Sequence, residues 1–154
     1  MTTQPATMTD GDAHFARARL VEALERLAPC ETASEPTLLA DLPAVPDRGA
    51  LRWLLASIGA VRVGDGWCFG DGPPPRWSWF EWRECADDPV KYALASASSK
   101  RHEERPLAIV EPGRGWQVQR RDGSPIESLV SSKVGLADGQ RAAIRVCRLW
   151  GLFL

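Results

Sequence analysis

The chain has only two histidines, His14 and His102. Neither stands near a cysteine pair, which excludes the usual ligand spacing of a zinc site. The four cysteines, Cys30, Cys68, Cys85 and Cys147, include no Cys-x-x-Cys pair. A chain of 154 residues needs no covalent staples, so four reduced thiols are expected rather than two disulfides. With so few bases, a Ser or Cys nucleophile has no partner to activate it. No glycine-rich phosphate loop exists, because GRGWQV lacks both the spacing and the following Lys-Ser or Lys-Thr. FEWR with Asp87 and Asp88 nearby faintly resembles the acidic and basic triplet of metal-dependent nucleases, a pattern that charged chains produce by chance. No apolar run reaches the length of a membrane span, and the opening MTTQPATMTDGDAH has neither the basic start nor the apolar stretch of a secretory signal. A cytoplasmic protein with no membrane partner is the expectation. No internal repeat is visible. These absences point to a non-enzymatic protein that uses no cofactor and no metal.

What is present fits a globular chain, with 44% hydrophobic and 25% charged residues. The net charge of −1 conceals an asymmetry. Residues 1–72 carry six basic against ten acidic side chains, and residues 73–154 carry thirteen against ten. A polyanionic partner should therefore prefer the C-terminal half. Sixteen of the nineteen basic residues are Arg, suited to bidentate contacts with carboxylate or phosphate. A base-composition bias of the source genome explains the same preference.

Residues 1–13 are polar and lack apolar periodicity, and are expected to form a disordered leader. In AHFARARLVEALERLAP, Phe15, Leu20, Leu24 and Leu27, with Val21 beside them, fall on one helical face before Pro29. SEPTLLADLP has Ser34 as N-cap and Glu35 and Pro36 in the first turn of a short helix. Asp47 caps a third helix, RGALRWLLASIG, with Leu51, Leu54, Leu55 and Ile58 on one face and Gly59 as its left-handed stop. After Gly59 the period changes to two: AVRVGDGWCFG alternates Val61 and Val63 against Trp67 and Phe69 around a Gly-Asp-Gly turn, which predicts a hairpin.

Three helices followed by a two-stranded hairpin, and ALRWLLASIGAVRVGDGWCFG in particular, resemble the recognition helix and wing of the winged helix-turn-helix superfamily, including the winged-helix ends of phage and plasmid replication proteins. The resemblance covers residues 14–70. It implies that the third helix enters the major groove while the wing grips the flanking backbone. The residues that would do this are Arg48, Arg52 and Arg62. Three arginines on an acidic domain are a thin supply of phosphate contacts, and winged helices also serve in dimerisation and partner docking.

A Gly/Pro linker at 71–75 is expected to separate this domain from a Trp-rich α+β domain at 76–154. RWSWFEW after the linker reads best as a strand with aromatics on both faces. Trp77, Trp79 and Trp82 then serve the core, a protein contact or base stacking, in that order of preference. Asp88 and Pro89 predict a helix through Ala97, with Lys100, Arg101 and His102 at its basic end. Strands are expected at Leu107–Glu111 and Trp116–Arg121, with Arg114, Arg120 and Arg121 forming the densest positive feature. Asp138 is expected to cap a last helix that buries Ala143, Val146, Cys147 and Trp150, with the apolar terminus LWGLFL tucked in behind it.

The fold class expected overall is α+β: a three-helix winged-helix-like unit with a hairpin wing, then a small antiparallel sheet with two helices. The leading functional expectation is a nucleic-acid-binding regulator or replication accessory of bacterial or mobile-element type, acting through Arg114, Arg120 and Arg121 with support from Arg48, Arg52 and Arg62. The alternative is an adaptor or antagonist that docks a larger protein partner through surfaces such as Trp77, Trp79 and Trp82. A homodimer is compatible with either.

Overall fold

The structure is a computed structural model that describes residues 4–70, 80–85, 91–96 and 105–154. The chain divides into two compact units, Met1–Pro75 with Arg148–Leu154, and Arg76–Cys147.

The first unit opens with α1 (Asp10–Glu25), which starts earlier than the sequence pattern suggested. Thr9 is the reason. Its hydroxyl accepts from the Asp12 N–H at 3.0 Å while the Asp12 carboxylate accepts from the Thr9 N–H at 3.3 Å, a reciprocal cap that satisfies two orphan donors. Met8 is buried just before it, so the residues ahead of position 14 include ordered structure rather than a free leader. The buried face of α1 is Ala13, Ala16, Leu20, Val21 and Leu24. Phe15 lies off that face and is 61% exposed, contrary to the sequence expectation; Ala16 beside it holds the inward position.

A two-residue strand, β1 (Ala33–Ser34), leads into α2 (Glu35–Ala40), where Ser34 caps and Pro36 stands in the first turn. α3 (Arg48–Ser57) is capped by Asp47, which accepts from the Ala50 N–H at 2.8 Å. It buries Leu51, Leu54 and Leu55, and Ile58 is buried at its C-cap. Gly59, at φ 74°, turns the chain out of the helix. β2 (Val61–Val63) and β3 (Gly66–Cys68) form the expected hairpin, and β1 adds to it in the order β1-β3-β2. Helices and hairpin share one core, in which Leu20, Leu24, Leu38, Leu54, Ile58 and Trp67 are buried. This is an α+β unit of winged-helix-like topology.

The second unit is a five-stranded antiparallel meander: β4 (Phe80–Cys85), β5 (Lys91–Ser96), β6 (Ala108–Glu111), β7 (Gly115–Gln119) and β8 (Pro125–Val130), adjacent in chain order. Among the described residues one helix accompanies it, not the two expected. The expected helix around residues 88–97 is replaced over its described part by β5. Alanine-rich helix propensity is weak against tertiary demand. Here Tyr92, Ala93 and Leu94 pair with β4 on one side and with β6 on the other, so their backbone groups are satisfied by a central strand. The proposed cap at Asp88 and Pro89, the basic end at Lys100, Arg101 and His102, and the linker at 71–75 lie outside the described residues.

α4 (Leu136–Leu149) is the helix expected near the C-terminus, but it begins before Asp138, which lies in its first turn. Its Gly139 lies so close to Val110 that a Cβ would come within 2.6 Å of that side chain, which seats the start of the helix on the sheet. Ala143, Val146 and Cys147 are buried as expected, whereas Trp150 lies beyond the helix and is 41% exposed. The terminus packs through Phe153, which is buried and whose N–H donates to the Ser57 carbonyl.

Candidate functional site

The α3–wing surface is the one on which the sequence resemblance led us to expect recognition. Asp47 and Gly59 fix the two ends of α3, and its apolar stripe faces inward. Arg48 and Arg52 are left outward and exposed. Arg52, however, is engaged. Its Nε and Nη2 donate to the two carboxylate oxygens of Glu35 at 2.8 and 2.9 Å, a bidentate pair between α3 and the first turn of α2. Glu35 itself is 4% exposed. The hydrogen bond from Arg52 holds its carboxyl down at about 2, against an opposing push from burial, with the charges of Arg52 and Arg62 adding to the effect. The same bond raises Arg52. The Trp67 indole N–H is buried and makes no hydrogen bond of ordinary geometry, yet lies close enough to lower Glu35 slightly. One carboxylate thus gathers α2, α3 and the wing, and Arg48 is left as the outward cation of α3 that no such pair holds.

Two further arginines of this unit are committed to structure. Arg148 is buried, and its guanidinium donates to the Ile58 carbonyl at 2.8 Å and lies over the Phe69 ring at 3.7 Å. It satisfies a carbonyl at the C-terminal end of α3, where a cation is favoured. Arg17 donates to the Ser57 hydroxyl at 3.0 Å and lies over Trp53; burial lowers its pKa.

The aromatic strand is next. Trp77 and Trp79 lie outside the described residues. Trp82 is opposite Leu94, which is opposite Ala108, which is opposite Val118. Those three are at most 1% exposed, so the row containing Trp82 is the covered face of the sheet. Trp82 is half-buried and its indole N–H is inaccessible, which fits packing better than a stacking platform. The opposite face carries Lys91, Glu111, Gln117 and Ser128 in alternate positions and holds Lys91 3.7 Å from Glu111.

The basic hairpin does not form one patch. Arg114 lies in the turn before β7 and Arg120 and Arg121 in the turn after it. Six residues of extended chain put Arg114 and Arg120 ~20 Å apart, at opposite ends of the strand. Arg114 is 66% exposed, with Glu111 4.0 Å away. Arg121 lies over the Phe80 ring. Beside Arg120, the Asp122 carboxyl is lowered by hydrogen bonds from the Ser124 side chain and N–H, with a smaller contribution from Arg120.

Sequence reading missed two features. Glu35 reads in the sequence only as a first-turn residue of α2, since its partner is 17 positions away and no local spacing signals the pair. β8 carried no strand signal that was used, although Pro125 after the Asp122-Gly123 turn marks where a return strand begins.

Among the described residues no group of three or more His, Cys, Asp or Glu could hold a metal ion. The four cysteines are unpaired with one another. No described helix is long and apolar enough to cross a membrane. In comparisons with protein-family models, curated proteins and solved structures, nothing matches the chain.

Proposed function

We propose that this protein is a non-enzymatic adaptor or regulator that works by docking a protein partner. The observation that carries this reading is the Glu35–Arg52 pair. One of the two exposed arginines of α3, Arg52, is already held by a buried carboxylate of its own unit. Freeing it would leave the buried Glu35 carboxylate without its charge partner, a loss of about 1.5–2 kcal/mol with Arg52 half exposed, which offsets much of the ~1–3 kcal/mol that one bidentate base contact contributes. The first unit also carries seven basic against ten acidic side chains, a balance that repels a phosphate backbone. In the second unit Arg114 stands at one end of β7 and Arg120 and Arg121 at the other, so these three do not present one continuous phosphate track.

Fluorescence anisotropy with labelled duplex DNA, single-stranded DNA and RNA at about 50 mM salt should give dissociation constants weaker than about 100 μM. Purification from the source cells should retain a discrete protein partner after nuclease treatment. Submicromolar binding with a steep salt slope, reduced by Arg48→Glu or Arg62→Glu, would establish the nucleic-acid reading and remove this one.

A further inference from the structure

We propose that the open outer edge of β8 takes an extended segment of a partner protein as a sixth strand of the sheet, with an acidic side chain of that segment beside Arg114. This rests on the protein-docking reading and names where, and on what chemistry, docking occurs.

β8 is the outermost strand of its sheet, paired with β7 alone among the described strands. Alternate residues of such a strand direct N–H and C=O groups away from the sheet, as a template for another chain. Natural edges are guarded by prolines and charges. Here Pro125 and Glu127 guard only the first half of the strand. The second half ends in Leu129, 46% exposed, and Val130, 89% exposed.

Two hollows lie on the sheet face just inboard of this edge, on the β7 side of β8. One, of about 250 Å³, lies among Ile109, Arg114, Gly115, Gln117, Ser128 and Val130. The other, of about 260 Å³, lies against Pro125, Ile126 and Glu127 and shares Gln117 and Ser128 with the first. Together they follow β8 along its whole length. Gly115, opposite Val130, lets β8 pair closely with β7 at this end, since a Cβ there would run into the Leu129 carbonyl. Same-side residues of an added strand repeat every ~7 Å, so its alternate side chains would extend the sheet face that carries Gln117 and Ser128. Main-chain pairing with pockets for alternate side chains is how strand addition combines affinity with specificity.

Charge selects the occupant. At the Val130 end stand Arg114, 66% exposed with Glu111 only at 4.0 Å, and the exposed Lys133. At the other end stands the exposed Glu127. A segment running antiparallel to β8 therefore needs an acid in its N-terminal part and accepts a base toward its C-terminal part. A second copy of this chain fits less well. Antiparallel self-pairing would bring Arg120 and Arg121 of one copy, only partly offset by Asp122, against Arg114 and Lys133 of the other. Six residues a side also fall short of the roughly 1,200–2,000 Å² that a stable interface buries.

The test is selection of short random peptides displayed on phage against the full-length protein, followed by affinity measurement on synthesised hits. Enriched peptides should alternate apolar residues and carry an acid toward the N-terminus. Arg114→Glu should weaken them about five- to tenfold, and selection on that variant should yield a base at the same position. Val130→Asp should abolish binding while circular dichroism remains that of the wild type. A photo-crosslinker at Leu129 should label the bound peptide. Peptides whose binding neither variant alters overturn the β8 site but leave the docking reading intact. A dimer in light scattering that Val130→Asp dissolves makes the occupant a second copy and overturns the proposal. No enrichment overturns the β8 site, and together with tight nucleic-acid binding it removes the docking reading as well.

Discussion

Replacing Glu35 by Gln keeps the shape of the side chain and removes its charge, leaving Arg52 a neutral acceptor. The wild-type carboxyl titrates at about 2 in the folded chain against an ordinary 4.5. Taken whole, a shift of that size corresponds to ~3.4 kcal/mol. The Arg52 side chain is 46% exposed, so solvent screens much of it, and we expect about 1.5–2 kcal/mol at neutral pH. Because the folded pKa is depressed, this stabilisation is fully present above pH ~4.5 and disappears as the pH falls toward ~2. Urea unfolding followed by far-UV circular dichroism, which follows the helices of the first unit, should show Glu35→Gln less stable than wild type by that amount at pH 7. More than half of the difference should be gone by about pH 3. Arg52→Met should show the same loss, and the double variant should show strong non-additivity. An equal gap between wild type and Glu35→Gln at pH 7 and pH 3, or none at pH 7, would refute the ion-pair account.

Gly59→Ala should lower stability by about 1–2 kcal/mol, read as a fall in thermal midpoint, because φ is 74° and the new Cβ would lie 3.0 Å from the Phe153 ring. Arg148→Met should speed amide exchange at the α3 C-terminus and cost about 2–3 kcal/mol, since it leaves the Ile58 carbonyl without its partner; wild-type exchange rates there would count against this capping role. Gly115→Ala should release β8 from β7, since its Cβ would lie 1.9 Å from the Leu129 carbonyl oxygen. Limited proteolysis should then cut within 125–130, and continued protection would show that the strand tolerates the change.

Local chemistry was readable where a residue's partner lies within one turn. Ser34 and Asp47 cap the helices they were expected to cap, Gly59 ends α3 in the left-handed region, and the Gly-Asp-Gly turn makes the wing hairpin. Thr9 belonged to the same class of signal but was passed over, because its cap partner is Asp12 rather than the Glu or Gln of the usual box. Lys91–Ser96 failed for a different reason. KYALAS has the composition of a helix, and only pairing on both sides makes it a strand.

The candidate sites divide in the same way. The sequence alone determined which residues carry positive charge, where helices stop, and that α3 would lead into a hairpin, because caps, turns and periodicity act between neighbours. Only the tertiary structure decided that Arg52 is held by Glu35, that Arg114 stands apart from Arg120 and Arg121, that Trp82 shares a row with core residues, and that β8 is left at an edge. Each of these depends on strand register or on helices meeting across the core. Register and helix packing are set by the burial of many side chains at once, not by any one stretch of chain.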